Sequence, residues 1–354
     1  MNKEAKSILR FMLKATLLFS VVLVPFLLFF IVADPFRVVR GYDEFYPDPE
    51  SNPVRTGLDK GYVTVENFES NVRKGRRYNA FIFGSSISIY YDAREWARLL
   101  EDAGTVVSPY HFDSSNESLQ EMADKVEYLD RNGHSIDYAL IVLDPIIMTN
   151  EPDASSPAMA PHPHLSGSIF DRLRFGYLFF RASTNADFLK SYIPSMIYGT
   201  PMDNGRNPVF EPQPIVYDAS VNQESIPLWD AEISAAPKEF YESHRLLPPP
   251  ENVTESPVVL TPEKMAPIER IAAIFRRQGT DYRIIVGPNR RKVCLSARDR
   301  GKLEEAFGAD RVFDFSRSMA GELEEDTLLY DNTHYRPVFS LRLMRKAYLG
   351  QKAE

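Results

Sequence analysis

Residues 138–143, YALIVL, decide the fold class of this chain. The run is apolar without alternation, which is typical of a strand buried on both faces of a parallel sheet. On either side of it, short apolar runs alternate with amphipathic segments, a pattern that predicts strands joined by crossover helices. The predicted strands are 80–83, 106–112, 138–143, 283–286 and 311–315, and the predicted helices are 92–100, 117–129, 262–278, 297–307 and 337–349. We therefore predict an α/β domain over 78–354 with a doubly wound, mostly parallel, five-stranded sheet in the flavodoxin-like order.

Two segments interrupt or precede this alternation. Between about residues 145 and 260 prolines cluster and the pattern stops, which predicts a long insertion with aromatic-rich helical stretches between 169 and 198. Residues 34–77 are rich in Pro, Asp, Glu, Arg and Tyr and lack a sustained period. We predict that they form a stalk that becomes an irregular first segment of the domain.

Residues 15–33, ATLLFSVVLVPFLLFFIVA, carry no charge. About 20 such residues cross a bilayer core as a helix, so we predict a single-pass transmembrane anchor that contacts membrane lipid. Basic residues precede the segment, at Lys3, Lys6, Arg10 and Lys14. The positive-inside rule then places residues 1–14 in the cytosol and the main domain in the periplasm or another extracytoplasmic space. A signal peptide cleaved near Ala33 is the alternative, but the apolar run exceeds the roughly 7 to 15 residues of a signal core.

Composition excludes several classes of function. The chain has 354 residues, is 44% hydrophobic and has a formal net charge of −8, which argues against a nucleic-acid partner. The single cysteine, Cys294, permits neither an intramolecular disulfide nor a cysteine-based metal cage. His162 and His164 are an alternative metal pair, but no third ligand stands nearby in sequence, so a solvent-exposed loop is favoured. We predict no metal and no cofactor, and nothing in the sequence indicates a protein partner.

Polar residues follow every predicted strand. They are Gly84-Ser85-Ser86, Asp113-Ser114-Ser115-Asn116, Asp144, Asn289, and Asp331-Asn332-Thr333-His334, in chain order. Because ligands of an open α/β sheet gather at the carboxyl ends of its strands, these side chains are expected to converge. Hydroxyls, one histidine and carboxylates together suit nucleophilic acyl transfer, which needs a nucleophile, a base, a group that orients the base, and donors to an oxyanion. Arg290, Arg291 and Lys292 follow the fourth strand, where they either hold an anionic substrate or are solvated.

Two of these blocks resemble a known family. FIFGSSIS at residues 81–88 resembles the first block of the SGNH (GDSL-type) hydrolases and acyltransferases, in which Gly-Asp-Ser follows the first strand. Ser85 stands where that family has Asp, and Ser86 stands where it has the nucleophile. Asp331 to His334 is similar to the family's last block, Asp-x-x-His. The Gly-Ser-Ser form resembles the membrane-anchored branch that includes the D-alanine transfer protein of teichoic acids and the alginate acetylation proteins.

The resemblance implies a Ser-His-Asp triad. Ser86 would be the nucleophile, His334 the general base and Asp331 the carboxylate that orients the imidazole. A separation of three residues on one tight loop lets the carboxylate hold one ring nitrogen while the other faces the serine. The backbone N–H groups that begin the helix after Ser86 can face an oxyanion.

The sequence departs from the family at two positions of the expected oxyanion hole. Asn116 stands where the second block has a glycine, although asparagine can take the left-handed conformation. Asp144 stands where the third block has an asparagine, and an ionised carboxylate would repel developing negative charge. Either Asp144 is protonated or points elsewhere, or Asn116 and Asn289 build the hole.

These features predict a membrane-anchored SGNH-like serine esterase or O-acyltransferase that acts on an acyl ester of a cell-surface or exported glycan. Water as acceptor gives a hydrolase, and a sugar hydroxyl gives a transferase. The alternative is a catalytically inactive SGNH-like binding or assembly subunit of an envelope polysaccharide pathway, with Asp144 as the sign of a lost oxyanion hole.

Overall fold

The computed structural model of the chain describes residues 3–42, 45–46, 58–101, 106–151, 157, 159–200, 202, 215–244 and 246–350. Residues 43–44 and 47–57 of the predicted stalk lie outside these residues, as do 152–156, 158, 201, 203–214 and 245 of the proline-rich insertion. The chain divides into two compact units, which are described separately. The smaller unit comprises Met1–Leu58 and Ile169–Glu211, and the larger comprises Asp59–Ser168 and Pro212–Glu354.

Twelve α-helices and nine strands lie in the described part of the chain. The helices are α1 (Lys3–Ala33), α2 (Lys60–Arg73), α3 (Ala93–Leu100), α4 (Leu119–Arg131), α5 (Pro163–Ser166), α6 (Ile169–Ser183), α7 (Ala186–Tyr198), α8 (Pro227–Ala235), α9 (Pro237–His244), α10 (Pro262–Gln278), α11 (Ala297–Phe307) and α12 (Pro337–Leu349). The strands are β1 (Ala80–Gly84), β2 (Pro109–His111), β3 (Tyr138–Leu143), β4 (Val216–Asp218), β5 (Gln223–Ser225), β6 (Thr254–Glu255), β7 (Asp281–Val286), β8 (Val293–Cys294) and β9 (Val312–Asp314).

The larger unit is built on the predicted five-stranded sheet. Its order is β2-β1-β3-β7-β9, and every pair is parallel. Numbered within the sheet, this is the order 2-1-3-4-5, as predicted for a flavodoxin-like arrangement. The structure therefore confirms an α/β fold with a parallel sheet.

The two faces of the sheet are covered by different helices. Phe81 and Phe83 of β1 pack into the cluster formed with α2, α4, α10 and α11, whereas Ala80 and Ile82 pack into the cluster formed with α3 and α12. Strand β3 divides its side chains in the same way, because successive residues of a strand point to opposite faces. Burial on both faces explains why YALIVL shows no alternation of polar and apolar residues.

The prediction of an irregular segment before the sheet is wrong for residues 60–73. These residues form α2, capped by the Asp59 side chain, which accepts the N–H of Gly61, and ten of its residues are buried. Gly61 and the β-branched Val63, Thr64 and Val65 have low helix propensity, so the sequence lacks a helical signal. Burial against the sheet, as at Val65 and Phe68, overrides that propensity.

The smaller unit combines α1 with two helices of the insertion. Residues 5–33 of α1 are long and apolar enough to cross a membrane, and they include the predicted span 15–33. Helices α6 and α7 occupy the stretch 169–198 predicted to be helical. They are joined by Thr184 and Asn185, and the Asn185 side chain caps α7.

Candidate active site

The Asp331–His334 loop forms a histidine–carboxylate pair. Asp331 Oδ2 lies 2.8 Å from His334 Nδ1, and Asp331 Oδ1 accepts the backbone N–H groups of Thr333 at 2.7 Å and His334 at 2.8 Å. Burial raises the pKa of Asp331, but the hydrogen bonds from His334 and Thr333 outweigh it, so the pKa of this carboxyl lies below its ordinary value. An ionised Asp331 fixes the proton of the neutral ring on Nδ1 and leaves the lone pair on Nε2.

The second nitrogen of His334 has no hydrogen-bond partner among the described residues. The side chain is 25% exposed, yet Nε2 itself is buried. The ring of Tyr90 stands edge-on to the imidazole, with ring centroids 6.2 Å apart. A buried ring nitrogen without a partner is uncommon in folded proteins, and a catalytic role is one explanation for such an atom.

Ser86 lies at the carboxyl end of β1, where the strand passes directly into a 3₁₀ turn over Ser86–Ser88. Ser86 is half-buried, whereas Ser85 and Ser88 are buried. Gly84 makes this turn possible, because a Cβ there would lie 2.8 Å from Ser88 Cβ and 3.0 Å from the Val142 carbonyl oxygen. Any larger residue at position 84 would push the turn away from β3.

A buried polar chain that the sequence did not reveal holds this turn. The Ser88 hydroxyl donates to the Ser85 carbonyl oxygen at 2.8 Å and lies 3.1 Å from His111 Nε2. His111 Nδ1 lies 3.4 Å from Gln223 Oε1. Burial lowers the pKa of His111, which favours its neutral form. Ser88 and His111 resemble a catalytic pair in their spacing, but both are buried and Ser88 is bonded to the backbone, so they act as support for the Ser85–Ser86 turn.

The structure brings the Ser86 turn and the His334 loop to the same part of the larger unit. Tyr90, four residues after Ser86, contacts both His334 and Tyr330. Ile87 and Tyr335, the neighbours of Ser86 and His334, belong to the same apolar cluster. Within the described residues, no hydrogen bond joins Ser86 to His334, because Nδ1 is bonded to Asp331 and Nε2 has no partner. The triad therefore stays a prediction.

The residues predicted to bind an oxyanion have distinct surroundings. Asn116 has a φ of +52°, the left-handed conformation expected of a residue that replaces glycine. Its side-chain amide donates to Met159 Sδ at 2.9 Å. Asp144 is buried at the end of β3, and its Oδ1 accepts the N–H of Ile146 at 2.6 Å. The Ser85 hydroxyl is buried, and no hydrogen-bond partner for it lies in the described part of the chain.

The loop after β7 is stabilised by hydrogen bonds within it and to neighbouring segments. Asn289 Nδ2 donates to the Val293 carbonyl oxygen at 2.7 Å, and Asn289 Oδ1 accepts the Val293 N–H at 3.1 Å. Arg290 is buried and donates to the carbonyl oxygens of Leu247 and Leu323 and to Asp326. These contacts give Arg290 a structural role, and a part for Asn289 in an oxyanion hole stays a prediction.

The expectation of a solvent-exposed loop at His162 is wrong. His162 is 2% exposed, and its ring stacks on Tyr62 with centroids 4.9 Å apart. His162 Nε2 lies 3.1 Å from Glu66 Oε1, and His164 Nδ1 lies 3.0 Å from Glu69 Oε1. Glu66, His162 and His164 thus offer three potential metal ligands within 4.8 Å of one another. The sequence did not reveal Glu66 as a third group because it precedes His162 by 96 residues.

The hydrogen bonds of this cluster satisfy both nitrogens of His162. The backbone N–H of His164 donates to His162 Nδ1 at 3.1 Å, so the ring proton lies on Nε2, where it is donated to Glu66. A metal ion on Nε2 would displace that proton to Nδ1, opposite another N–H donor. Burial lowers the pKa of His162, which keeps the ring neutral. The cluster therefore fits a set of structural hydrogen bonds that join α2 to residues 161–166 better than it fits a metal centre.

Comparison with known protein families finds no family that matches the chain, and comparison with curated proteins finds no match. The function is therefore inferred from the residues and their geometry.

Proposed function

We propose that the chain is a membrane-anchored, SGNH-like serine esterase or O-acyltransferase that acts on a cell-surface or exported glycan. The observation that carries the proposal is the state of His334, whose Nδ1 is held by Asp331 and whose buried Nε2 has no partner among the described residues. A general base needs this arrangement of one oriented nitrogen and one free nitrogen. The order of the Gly-Ser-Ser and Asp-x-x-His blocks supports the SGNH-like assignment and, through the branch it resembles, a glycan substrate.

In the proposed reaction, His334 Nε2 takes the proton of the Ser86 hydroxyl as its oxygen attacks the ester carbonyl of the acyl donor. The tetrahedral intermediate collapses to an acyl-Ser86 ester, and the protonated His334 returns its proton to the leaving alkoxide. Water or a sugar hydroxyl then attacks the acyl-enzyme by the reverse sequence. In this proposal the Ser85 hydroxyl, which is buried without a hydrogen-bond partner among the described residues, is a donor for the oxyanion.

One observation favours a second candidate, a catalytically inactive binding or assembly subunit. Asp144 is buried at the carboxyl end of β3, where the resemblance calls for an amide donor. A buried carboxylate at this position disfavours an oxyanion unless it is protonated.

Fluorophosphonate labelling distinguishes the two candidates. The full-length chain in lipid nanodiscs is treated with the probe, and mass spectrometry identifies the labelled peptide. We expect label on Ser86 that disappears in Ser86→Ala and His334→Ala. Ser135→Ala and His134→Ala are matched controls, because both residues lie before β3, at the opposite edge of the sheet, and they should label normally. A folded wild-type chain without label would overturn the enzyme proposal and favour the binding subunit.

A further inference from the structure

The α6–α7 hairpin, residues 169–198, has apolar side chains on two sides. Its inner side packs within the smaller unit through residues such as Phe179 and Phe188. Six other apolar side chains are exposed, and we call this set the outer face: Ile169, Leu173 and Tyr177 of α6 and Ile193, Met196 and Ile197 of α7. Leu173 and Ile197 are each 65% exposed. Apolar patches of this kind are unusual on soluble surfaces and mark interaction sites.

On each helix, the spacing of these residues places them in one continuous apolar stripe. Ile169, Leu173 and Tyr177 are four residues apart, and Ile193, Met196 and Ile197 follow the spacing i, i+3, i+4. Residues at these separations lie on one side of an α-helix. Each helix of the hairpin therefore has one apolar side in the unit and another that faces outward.

The hairpin packs against the last turns of the apolar helix α1. Phe29 packs edge-on against Tyr192 with ring centroids 5.7 Å apart, and Phe30 against Phe180 at 5.9 Å. Beyond α1, Phe36 is 1% exposed and contacts Phe179 and Phe188, one from each helix of the hairpin. These contacts fix the hairpin beside the end of α1.

The turn after α1 holds Phe36 in place. Asp34 is buried with a φ of +40°, and its carboxylate accepts the backbone N–H groups of Val38, Val39 and Arg40 and the Tyr42 hydroxyl. These hydrogen bonds stabilise the turn that places Phe36 against the hairpin.

We propose that the outer face of the α6–α7 hairpin lies in the membrane interface and buries its apolar side chains among the lipid chains. The proposal rests on the membrane anchor of the proposed function, because continuity with α1 identifies the bilayer as the partner. If residues 15–33 cross the hydrocarbon core, Phe29 and Phe30 lie roughly 5 to 6 Å inside its boundary at 1.5 Å per residue. Interfacial helices sink about 5 to 10 Å, which matches this depth.

The composition of the hairpin fits that position. Tyr177 and Tyr198 are exposed aromatic residues of the type enriched where the chains meet the headgroups. Arg172 and Arg174 are exposed on α6, and their long side chains reach polar headgroups while their stems stay in the apolar layer. The protein would then contact the bilayer through one spanning helix and one hairpin that lies in the interface.

Fluorescent probes of depth test this proposal on the full-length chain in nanodiscs. Single cysteines are introduced by Leu173→Cys and Ile197→Cys, with Val22→Cys in α1 as the lipid reference and Arg298→Cys on α11 as the solvent reference. Each is labelled with the environment-sensitive dye NBD. Cys294 is fully buried and burial raises the pKa of its thiol, so the unsubstituted chain gives the labelling background. The readouts are emission wavelength, quenching by doxyl-labelled lipid and quenching by aqueous iodide.

We expect the probes at positions 173 and 197 to behave like the probe at position 22. Their emission should be blue-shifted, and their quenching by doxyl-labelled lipid should be at least twice that of the probe at position 298. Probes at both positions that iodide quenches as strongly as the Arg298 probe would overturn the hairpin proposal. Probes shielded from both iodide and doxyl lipid would also overturn it and would indicate a protein partner. If the Val22 probe also lacks doxyl quenching, the membrane anchor itself fails, whereas serine labelling stays a separate test of the activity.

Discussion

Two histidine–carboxylate pairs of the larger unit differ in the state of the second ring nitrogen. His334 is held by Asp331 through Nδ1, and its Nε2 has no partner among the described residues. His162 is bonded at both nitrogens, to Glu66 and to the backbone N–H of His164. Because an imidazole acts as a base only through a free lone pair, the first pair suits proton transfer and the second suits structural support. Both pairs join a histidine to a carboxylate, and the hydrogen bond at the second ring nitrogen distinguishes the structural pair from the pair suited to proton transfer.

The largest expected effect comes from Asp331→Asn. The asparagine Oδ1 can still accept the N–H groups of Thr333 and His334, but its amide would donate to His334 Nδ1 and move the ring proton to Nε2. A base with the wrong tautomer loses activity, and we expect the rate of fluorophosphonate labelling at Ser86 to fall by roughly 10²- to 10⁴-fold. Rates are measured at fixed probe concentration, with circular dichroism as the check on folding. Unchanged labelling in a folded variant would show that Asp331 does not orient the base.

The carboxyl of Asp59, which has no histidine partner among the described residues, extends the comparison. Asp59 caps α2 through Oδ1, while its buried Oδ2 has no partner in the described part of the chain. Burial raises the pKa of Asp59 from 3.8 to about 8, so we expect this carboxyl to keep its proton in the folded protein at neutral pH, whereas hydrogen bonds lower the pKa of Asp331. The unfolded chain ionises Asp59 near 3.8, so its contribution to stability is fully present below that pH and is lost as the pH rises through about 8.

Asp59→Asn tests this assignment, because asparagine caps a helix as well as aspartate does and does not titrate. Between roughly pH 5 and pH 8, we expect the free energy of unfolding of the wild type to fall by on the order of 3 kcal/mol more than that of the variant. Urea unfolding at both pH values measures the difference. Parallel loss of stability in the two proteins would mean that Asp59 is ionised when folded.

His162→Ala separates structural support from catalysis. The substitution removes a buried ring that stacks on Tyr62 and leaves Glu66 without its donor. We expect the free energy of unfolding to fall by about 2 to 3 kcal/mol, with the labelling rate at Ser86 unchanged while the protein is folded. His134→Ala is the control for loss of a partly exposed histidine. A fall in labelling as large as that of Asp331→Asn would assign the Glu66–His162 cluster a role in the chemistry.

The smallest expected effect is that of zinc. Because the His164 N–H fixes the proton of His162 on Nε2, binding of Zn²⁺ would break two hydrogen bonds before it formed a bond to the metal. We expect Zn²⁺ to shift the unfolding temperature of the tag-free wild type and of Glu66→Gln equally. A saturable rise in the unfolding temperature of the wild type that Glu66→Gln abolishes would show that Glu66, His162 and His164 form a metal site.

Local patterns in the sequence were sufficient for the sheet and for part of the candidate site. The five strands are predictable because each is a short apolar run, and the Asp331–His334 contact is predictable because both residues lie on one loop, three apart. Helix α2 is not predictable from local sequence because its stability comes from burial and not from propensity. The support of the Ser86 turn by His111 and Gln223 is not predictable for a related reason, since these two residues are 112 positions apart in the sequence.

The α/β class, its expected strand order, the apolar helix and the two blocks that resemble SGNH enzymes follow from the amino-acid sequence alone. Each of these depends on residues that are close along the chain, where spacing and polarity dictate the outcome. Three properties follow only from the folded chain: which histidine has a nitrogen without a partner among the described residues, how burial shifts the pKa of a carboxyl such as Asp59, and which side chains of the α6–α7 hairpin are exposed. Those properties depend on desolvation and on hydrogen bonds between distant segments, which exist only once the chain has folded.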